Sequence, residues 1–408
     1  MILMQQSTAD FENLAINWIL GGPAVVGAME ESPALSPFND EVISFLNTLS
    51  GILRKDDRSK QYSDVATFAF WIRRSSVEQL KRRYYSVAGD VVLGRGTVFH
   101  IAPSNVPVNF AYSLVTGLLC GNRNIVRIPS KEFEQVKIIC DAIEEAIKIC
   151  PNMGKYIALV RYGHDEAINT ALSAVADVRV VWGGDTTINE MRRAPLKSRA
   201  TEVLFADRFS LAVIDADYYL EKCMAGNVAN DFYNDTYLTD QNACTAPRIV
   251  VWLGKRIAEA QELFWGALHE LVTGKYNISA VQVIDKLTSA MRYAAVCGGH
   301  ADLLGDGNLV NRVRIHEITD DLGLYFGNSG LFFEYEAGSI LELKALCSKD
   351  KCQTLSYIGN VDAIMPLLQS GIQGIDRVVP VGRTMDFDLT WDGYNLFERL
   401  TRRILILS

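Results

Sequence analysis

The stretch TVFHIAPSNVPVNFAYSLVTGLLCGNRNIVRIPS (residues 97–130) decides the fold. Its first six residues, Thr97 to Ala102, are apolar and partly β-branched, which predicts a strand. Pro103-Ser104-Asn105-Val106-Pro107 closes that strand, because two prolines so close together continue neither a ladder nor a helix. Phe110 to Cys120 then suits a helix, and Gly121-Asn122 suits its stop. Asn124 to Ile128 reads as a second strand, closed by Pro129-Ser130.

The same alternation continues downstream. Phe133 to Cys150 carries Val136, Ile139, Ile143 and Ile147 near helical spacing, Tyr156 to Val160 reads as a strand, His164 to Val175 as a helix, and Val178 to Trp182 as a strand. Strand and helix alternating at this spacing predict an α/β fold with a mostly parallel sheet. Such sheets bind ligands outside the carboxyl ends of their strands. The strand ending at Trp182 delivers Gly183-Gly184-Asp185-Thr186-Thr187 to that kind of edge, just before a short helix. Glycines there let a dinucleotide approach the backbone, and helix N-terminal amides favour its phosphates. The same pair also reads as an ordinary turn, and no GxGxxG fingerprint occurs.

Upstream, Asn39 to Leu53 suits a helix and Tyr62 to Tyr84 one or two more, with no chemistry of their own. Downstream, Leu211 to Ile214 suits a strand and Tyr218 to Phe232 a helix. The polar run Asp240-Gln241-Asn242-Ala243-Cys244-Thr245-Ala246-Pro247-Arg248 follows and leads into an apolar strand, Ile249 to Leu253. Free cysteines are mostly buried as small hydrophobes, so a thiol in a polar loop stands out. Gln241, Asn242 and Arg248 are neighbours able to stabilise a thiolate; a structural thiol is the other reading. Helices are predicted for Ile257 to Val272 and Ile278 to Ala295. Strands broken at Gly327 to Gly330 are predicted within Leu322 to Tyr335, and short elements for Glu342 to Cys347 and Gln353 to Ile358. The tail from Arg377 to Tyr394 is polar and aromatic, suited to folding back over a cleft, to an oligomer contact or to plain surface closure. Ile404 to Leu407 suits an edge strand, in this subunit or a partner.

With 408 residues, a net charge of -8 and 22% charged residues without long charged tracts, the chain is globular and suited to neither nucleic acid nor an anionic membrane. No apolar run is long enough to span a membrane. The opening Met1 to Gln6 has no basic region or extended apolar core, so no signal peptide is expected. Eight cysteines lack a CxxC pair, and the five histidines form no HExxH. Neither structural zinc nor a disulfide framework is expected, no metal site is assigned, and a cytoplasmic setting fits a functional thiol.

Six segments in order, FHIAPSNVP (99–107), CGNRNIVRIPSK (120–131), VVWGGD (180–185), DQNACTAPR (240–248), CQTLSYIG (352–359) and RVVPVGRTMDFDLTWDGY (377–394), resemble the LuxC-type acyl-CoA reductases, the bacterial fatty acid reductases. These belong to the aldehyde dehydrogenase superfamily, and the resemblance runs from about residue 85 to the C-terminus. It implies an aldehyde-dehydrogenase-like fold: a helical segment at 1–84, a Rossmann-type NAD(P)-binding domain at 85–217, an α/β catalytic domain at 218–380 carrying Cys244, and a C-terminal segment at 381–408 that returns to the cleft or an oligomer interface, with a terminal strand available for oligomerisation.

The resemblance also implies roles. Cys244 is the nucleophile, Asn105 the oxyanion donor, and Gly183 and Gly184 the floor beneath the dinucleotide. Ser104, Arg127, Pro129, Ser130, Lys131 and Asp185 complete the cofactor-binding set. Arg127 lies near the family's ribose-binding lysine. Lys131 lies near the position of a ribose-binding glutamate in NAD-preferring members, where a cation favours a 2'-phosphate. The cofactor expected is therefore NADPH, with NADH as the alternative. One departure bears on mechanism: hydrolytic relatives carry a glutamate in an E-L-G-G segment to activate water. Here the matching region reads Thr201-Glu-Val-Leu-Phe-Ala-Asp207, with Glu202 as the nearest carboxylate and no glycine pair.

The expected function is NADPH-dependent reduction of a fatty acyl thioester, on CoA or on a protein, to the aldehyde through an acyl-cysteine. Its rivals are an NAD(P)-dependent aldehyde dehydrogenase that releases acid and a non-catalytic acyl-binding subunit. An acyl-protein synthetase partner and a homo-oligomer belong to the same expectation.

Overall fold

A computed structural model of the chain describes residues 11–85, 91–298, 301–305, 307–349 and 351–407; the opening Met1 to Gln6 lies outside them. The chain forms two compact units, Met1–Ala206 with Asp388–Ser408, and Asp207–Phe387.

The first unit is built on a six-stranded sheet of β1 (Asn17–Leu20), β2 (Thr97–Ile101), β3 (Arg123–Arg127), β4 (Ile157–Arg161), β5 (Val178–Trp182) and β6 (Thr201–Phe205), in the order β1-β4-β3-β2-β5-β6. All pairings are parallel except β1 with β4. The chain runs outward from β2 through β3 to β4 and returns to β5 on the other side of β2, a topological switch point. Helices α1 (Asp40–Lys55), α2 (Ser63–Trp71), α3 (Arg74–Tyr84), α4 (Asn109–Leu119), α5 (Glu134–Ile149), α6 (Glu166–Ala174) and α7 (Asp185–Arg193) accompany the strands. Local chemistry sets their ends. Asn39 caps α1 by accepting from the Glu41 amide, with Asp40 and Glu41 in the first turn and Arg54 and Lys55 in the last, each sign opposing the helix dipole. Phe99, Ile101, Ile125, Val160 and Val181 alternate into one apolar cluster.

The second unit carries seven strands: β7 (Phe209–Asp215), β8 (Pro247–Leu253), β9 (Ala301–Leu304), β10 (Asn311–Ile315), β11 (Leu331–Glu336), β12 (Cys352–Ile358) and β13 (Arg377–Pro380), in the order β9-β10-β11-β8-β7-β12-β13. Only β9 runs antiparallel. Both faces are buried, as parallel sheets require. Val250, Trp252 and Phe332 pack on Phe232 and Phe264 on one face, and Leu211, Val251, Phe333 and Leu355 face the other side. Helices α8 (Ala216–Lys222), α9 (Ala225–Thr236), α10 (Ile257–Lys275) and α11 (Ala280–Val296) accompany these strands.

Several elements differ from expectation. The helix predicted for Tyr218 to Phe232 is two, α8 and α9, parted where Cys223 and Met224 turn extended. Of the strands predicted within Leu322 to Tyr335 only β11 forms, and Leu322–Tyr325 is a 3-10 turn. The terminal strand is Thr401–Ile404, paired antiparallel with Val91–Gly94 of the same chain.

Candidate active site

In the first unit, the parallel register of β2 with β5 and with β3 places their carboxyl ends side by side. Three of the predicted groups therefore leave one sheet edge together: Ser104 and Asn105 after β2, Arg127 through Lys131 on and after β3, and Gly183, Gly184 and Asp185 after β5. Ser104 and Asn105 are exposed, and the Asn105 side chain has no hydrogen-bond partner among the described residues. At Gly183 an added Cβ would lie 3.0 Å from Thr187 in the next helical turn, so a side chain there would crowd α7. Gly184 caps α7, and the first-turn amides around Asp185 open onto the same edge. A glycine turn, a helix N-terminus and a switch point together fit the phosphates and ring of a dinucleotide.

The flanking residues divide. Arg127 Nη2 donates to the carbonyls of Tyr162 (3.3 Å) and Gly163 (3.0 Å), and its guanidinium stacks 4.5 Å over the Tyr162 ring. It braces the ends of β3 and β4. Pro129 is buried, while Ser130 and Lys131 are exposed; the Lys131 ammonium lies 5.0 Å from the Phe133 ring and makes no ion pair among the described residues. Glu202 is committed elsewhere. Its Oε1 accepts from Nη2 (2.6 Å) and Nε (2.9 Å) of the buried Arg179, and Oε2 lies 3.9 Å from Arg192. Removing one partner of such a buried pair leaves an uncompensated charge, so Glu202 holds the sheet rather than a water.

Beneath that edge lies a polar network that sequence reading missed. His100 on β2 is fully buried; Nδ1 lies 2.7 Å from Ser113 Oγ and Nε2 3.0 Å from Asn124 Oδ1. Trp182 Nε1 donates to the same Ser113 Oγ at 3.0 Å. Burial pushes His100 down to about 4, so the ring is neutral and links β2, β3, α4 and β5. A histidine inside TVFHI and an asparagine inside RNIV were the available signals.

In the second unit, the cysteine loop follows α9 and a 3-10 turn, Tyr237–Thr239. Asp240 and Gln241 both take positive φ, 51° and 59°, which costs non-glycine residues roughly 1–3 kcal/mol each. Hydrogen bonds hold them there. Gln241 is buried: its Nε2 donates to the carbonyls of Pro247 (2.9 Å) and Leu331 (3.1 Å), and its Oε1 accepts from the Gly330 amide (3.0 Å). The Ser329 amide donates to the Asp240 carbonyl at 3.0 Å, the Tyr276 hydroxyl donates to Asp240 Oδ1 at 2.7 Å, and Asn328 donates to the Asn242 side chain. Arg248 Nη1 donates to Gly327 O and Asn328 Oδ1. Lys286, buried on α11, donates to the Asn308 and Ser329 carbonyls, and burial pushes it down to about 8. The Gly327 to Gly330 stretch, expected only as a strand break, is the clamp for this loop.

Cys244 sits half-buried in the loop, its carbonyl accepting from Ser210 Oγ at 2.7 Å. Burial pushes the Arg248 guanidinium down to about 10, opposed by the charges of Cys244 and then Asp207. The sulfur is therefore within electrostatic reach of a partly buried cation. On the far side, Thr245 Oγ1 donates to Met385 Sδ at 3.3 Å, and the buried Asp235 accepts from the amides of Gly382 (2.7 Å) and Thr384 (3.0 Å). None of the eight cysteines is in a disulfide. Among the described residues no three His, Cys, Asp or Glu side chains group to hold a metal ion, and no helix is long and apolar enough to cross a membrane.

Residues 73–274 match the family model described as acyl-CoA reductase (LuxC). Long-chain acyl-protein thioester reductase 2 of Photobacterium leiognathi is 26% identical over 170 residues, 40% of this chain and 34% of that protein. The long-chain acyl-protein thioester reductase of Photorhabdus laumondii is 23% identical over 323 residues, 76% of this chain and 63% of its own length. The chain thus spans about a third to under two thirds of the curated relatives it matches. Among solved structures, the aldehyde dehydrogenase KauB from Pseudomonas aeruginosa superposes with a TM-score of 0.68 at 15% identity, covering 98% of this chain and 88% of that one. Aldehyde dehydrogenase 21 from Physcomitrella patens gives 0.67 at 11% identity, covering 94% and 88%. The fold is that of the aldehyde dehydrogenases.

Proposed function

We propose, on the match of residues 73–274 to the acyl-CoA reductase (LuxC) family model, that the chain is an acyl reductase of that kind and reduces a long-chain acyl thioester to the aldehyde with a nicotinamide cofactor. The observation that carries this reading is the clamped loop around Cys244, with the partly buried Arg248 guanidinium engaged in the same clamp. Two strained residues held by a satisfied amide network present a nucleophile without reorganisation at the moment of reaction.

The Cys244 thiolate attacks the thioester carbonyl, the carbon–sulfur bond to the carrier breaks, and the carrier thiol departs with a proton from solvent. Asn105, whose side chain has no hydrogen-bond partner among the described residues, is the proposed donor to the tetrahedral oxyanion, with the Cys244 backbone amide as the other. The Gly183-Gly184 edge, with Ser104, Ser130 and Asp185 on the loops beside it, would hold a nicotinamide cofactor, which when bound would supply the hydride for reduction of the acyl-cysteine. Collapse of the thiohemiacetal then restores the thiol and frees the aldehyde. With Glu202 engaged by Arg179, that carboxylate holds the sheet and is not poised to activate water, which favours reduction over hydrolysis. Exposed Lys131 favours NADPH through the 2'-phosphate.

The names of the relatives favour an acyl group delivered on a protein, with an acyl-protein synthetase as a partner and CoA as the other carrier. A homo-oligomer in a cytoplasmic setting completes the reading, with the exposed run Leu405 to Leu407 as one contact.

Oxidation of NADPH and NADH is to be followed across acyl-CoA chain lengths, alongside the intact mass of the protein. Aldehyde formation and an acyl-sized mass gain are expected, and Cys244→Ala loses both, with turnover down by roughly 10³-fold or more. A Cys244→Ala protein that turns over at the native rate ends the proposal. NAD(P)⁺ reduction by free aldehyde, with release of acid and no thioester activity, replaces it by the dehydrogenase reading.

A further inference from the structure

Helix α11 is apolar on two opposite sides. Lys286, Ala290 and Tyr293 form its buried side. Helical spacing puts Ile284, Met291 and Ala295 on the opposite side, flanked by Val281 and Leu287. Val281 is 66% exposed, Ile284 63%, Met291 55% and Leu287 39%. A helix that meets water on its outer side carries mostly polar residues there, whereas this one is apolar there apart from Thr288 and the flanking charges Asp285 and Arg292. Contiguous apolar surface of this kind marks an association site.

What covers it is indicated by two charges. Asp285 and Arg292 are exposed on one flank of the stripe, seven residues apart, and neither has an ion pair or hydrogen bond among the described residues. We propose that the occupant is α11 of a second copy of this chain, packed antiparallel about a twofold axis near Thr288 and Ser289. A twofold there keeps the charged flanks on the same side and sets Asp285 of each copy beside Arg292 of the other, so two pairs close at once. Ile284 of each copy falls between Met291 and Ala295 of the other, as a knob into a hole. The small Thr288 stands at the axis, where its hydroxyl is already bonded to the Ile284 carbonyl at 2.8 Å. Parallel packing about a twofold along the helices would instead put the two charged flanks on opposite sides of the seam, where neither pair closes. The contact is isologous and closes on itself. It does not depend on the catalytic reading.

Sedimentation velocity at micromolar concentration tests this on the full chain. Wild type is expected to associate, and Ile284→Glu to halve the mass. Asp285→Arg and Arg292→Asp should each weaken association about tenfold. An equimolar mixture of these two variants should restore it as a one-to-one complex, because every cross-pair is then Arg with Asp. All substitutions are on exposed positions, and circular dichroism checks that each variant is folded. Three outcomes overturn the proposal: a wild type that stays monomeric, a mass indifferent to Ile284→Glu and to the charge reversals, or an association abolished by Leu405→Glu alone, which would assign it to the terminal strand.

Discussion

The cysteine loop and the switch-point edge are both built at the ends of parallel strands, yet they are stabilised in opposite ways. The loop is closed: Gln241, Asn242 and Arg248 are all engaged with Gly327 to Gly330, and two residues sit in a left-handed conformation they do not prefer. The edge is open: Asn105, Ser130 and Lys131 point outward, and what is fixed lies underneath, in the His100, Ser113 and Trp182 network. The proposed nucleophile gains from a single fixed geometry, and the proposed dinucleotide surface, which must admit and release its ligand, gains from exposed side chains. The two regions should therefore respond differently to substitution.

The largest effect is expected at Gln241→Leu, which keeps volume and removes two donated bonds and one accepted bond. Leaving buried carbonyls and an amide unsatisfied costs roughly 1–3 kcal/mol for each group. Turnover and the alkylation rate of Cys244 by iodoacetamide should both fall by about 10²-fold or more, while NADPH binding, read by fluorescence, stays unchanged. A loss of cofactor affinity of the same size would erase the contrast. Next is Gly183→Val, where the added Cβ presses on Thr187. NADPH affinity should fall about tenfold, with acylation of Cys244, read by mass, proceeding as in wild type. Lys131→Glu is smaller and more selective. It should move the ratio of NADPH to NADH efficiency about tenfold toward NADH, as measured by kcat/KM with each cofactor.

The smallest effect is one of pH. Burial raises the Asp235 carboxyl to about 6, against the lowering effect of the amide bonds from Gly382 and Thr384. The folded state therefore holds this proton more tightly than the unfolded chain. That contribution to stability is full below pH 4 and is lost as pH rises through 6. Asp235→Asn cannot titrate, so its Tm between pH 4 and 7 should fall less steeply than that of wild type.

The parallel arrangement around residues 97–182 was legible because each strand there is a short apolar run bounded by Pro or Gly, with one amphipathic helix in each interval. β6 was not, since TEVLF carries a charged Glu202 whose purpose, pairing Arg179, exists only once β5 and β6 lie side by side. β9 was not either: it is a four-residue edge strand with exposed Asp302 and Leu303, defined by its ladder with β10 and not by a period of its own. At the site, Cys244, Asn105 and the glycine pair stood out as residue types out of place in their local pattern. Gln241 was read as a neighbour of the thiol, and its actual partners lie as far as ninety positions away in the chain. Arg127, assigned to a cofactor ribose, is turned to Tyr162 and Gly163, a pairing that local spacing does not encode.

That span of ninety positions between Gln241 and Leu331 has a consequence for the life of the chain before it is complete. The loop cannot take its shape until β11 has been made and docked beside β8, because the carbonyls and amides that hold Asp240 and Gln241 belong to that later segment. During synthesis the thiol is thus an ordinary cysteine on a slack connection. On the proposed reading its reactivity arrives with the closing of the sheet, so a half-made chain is spared from capturing acyl groups it could not yet reduce.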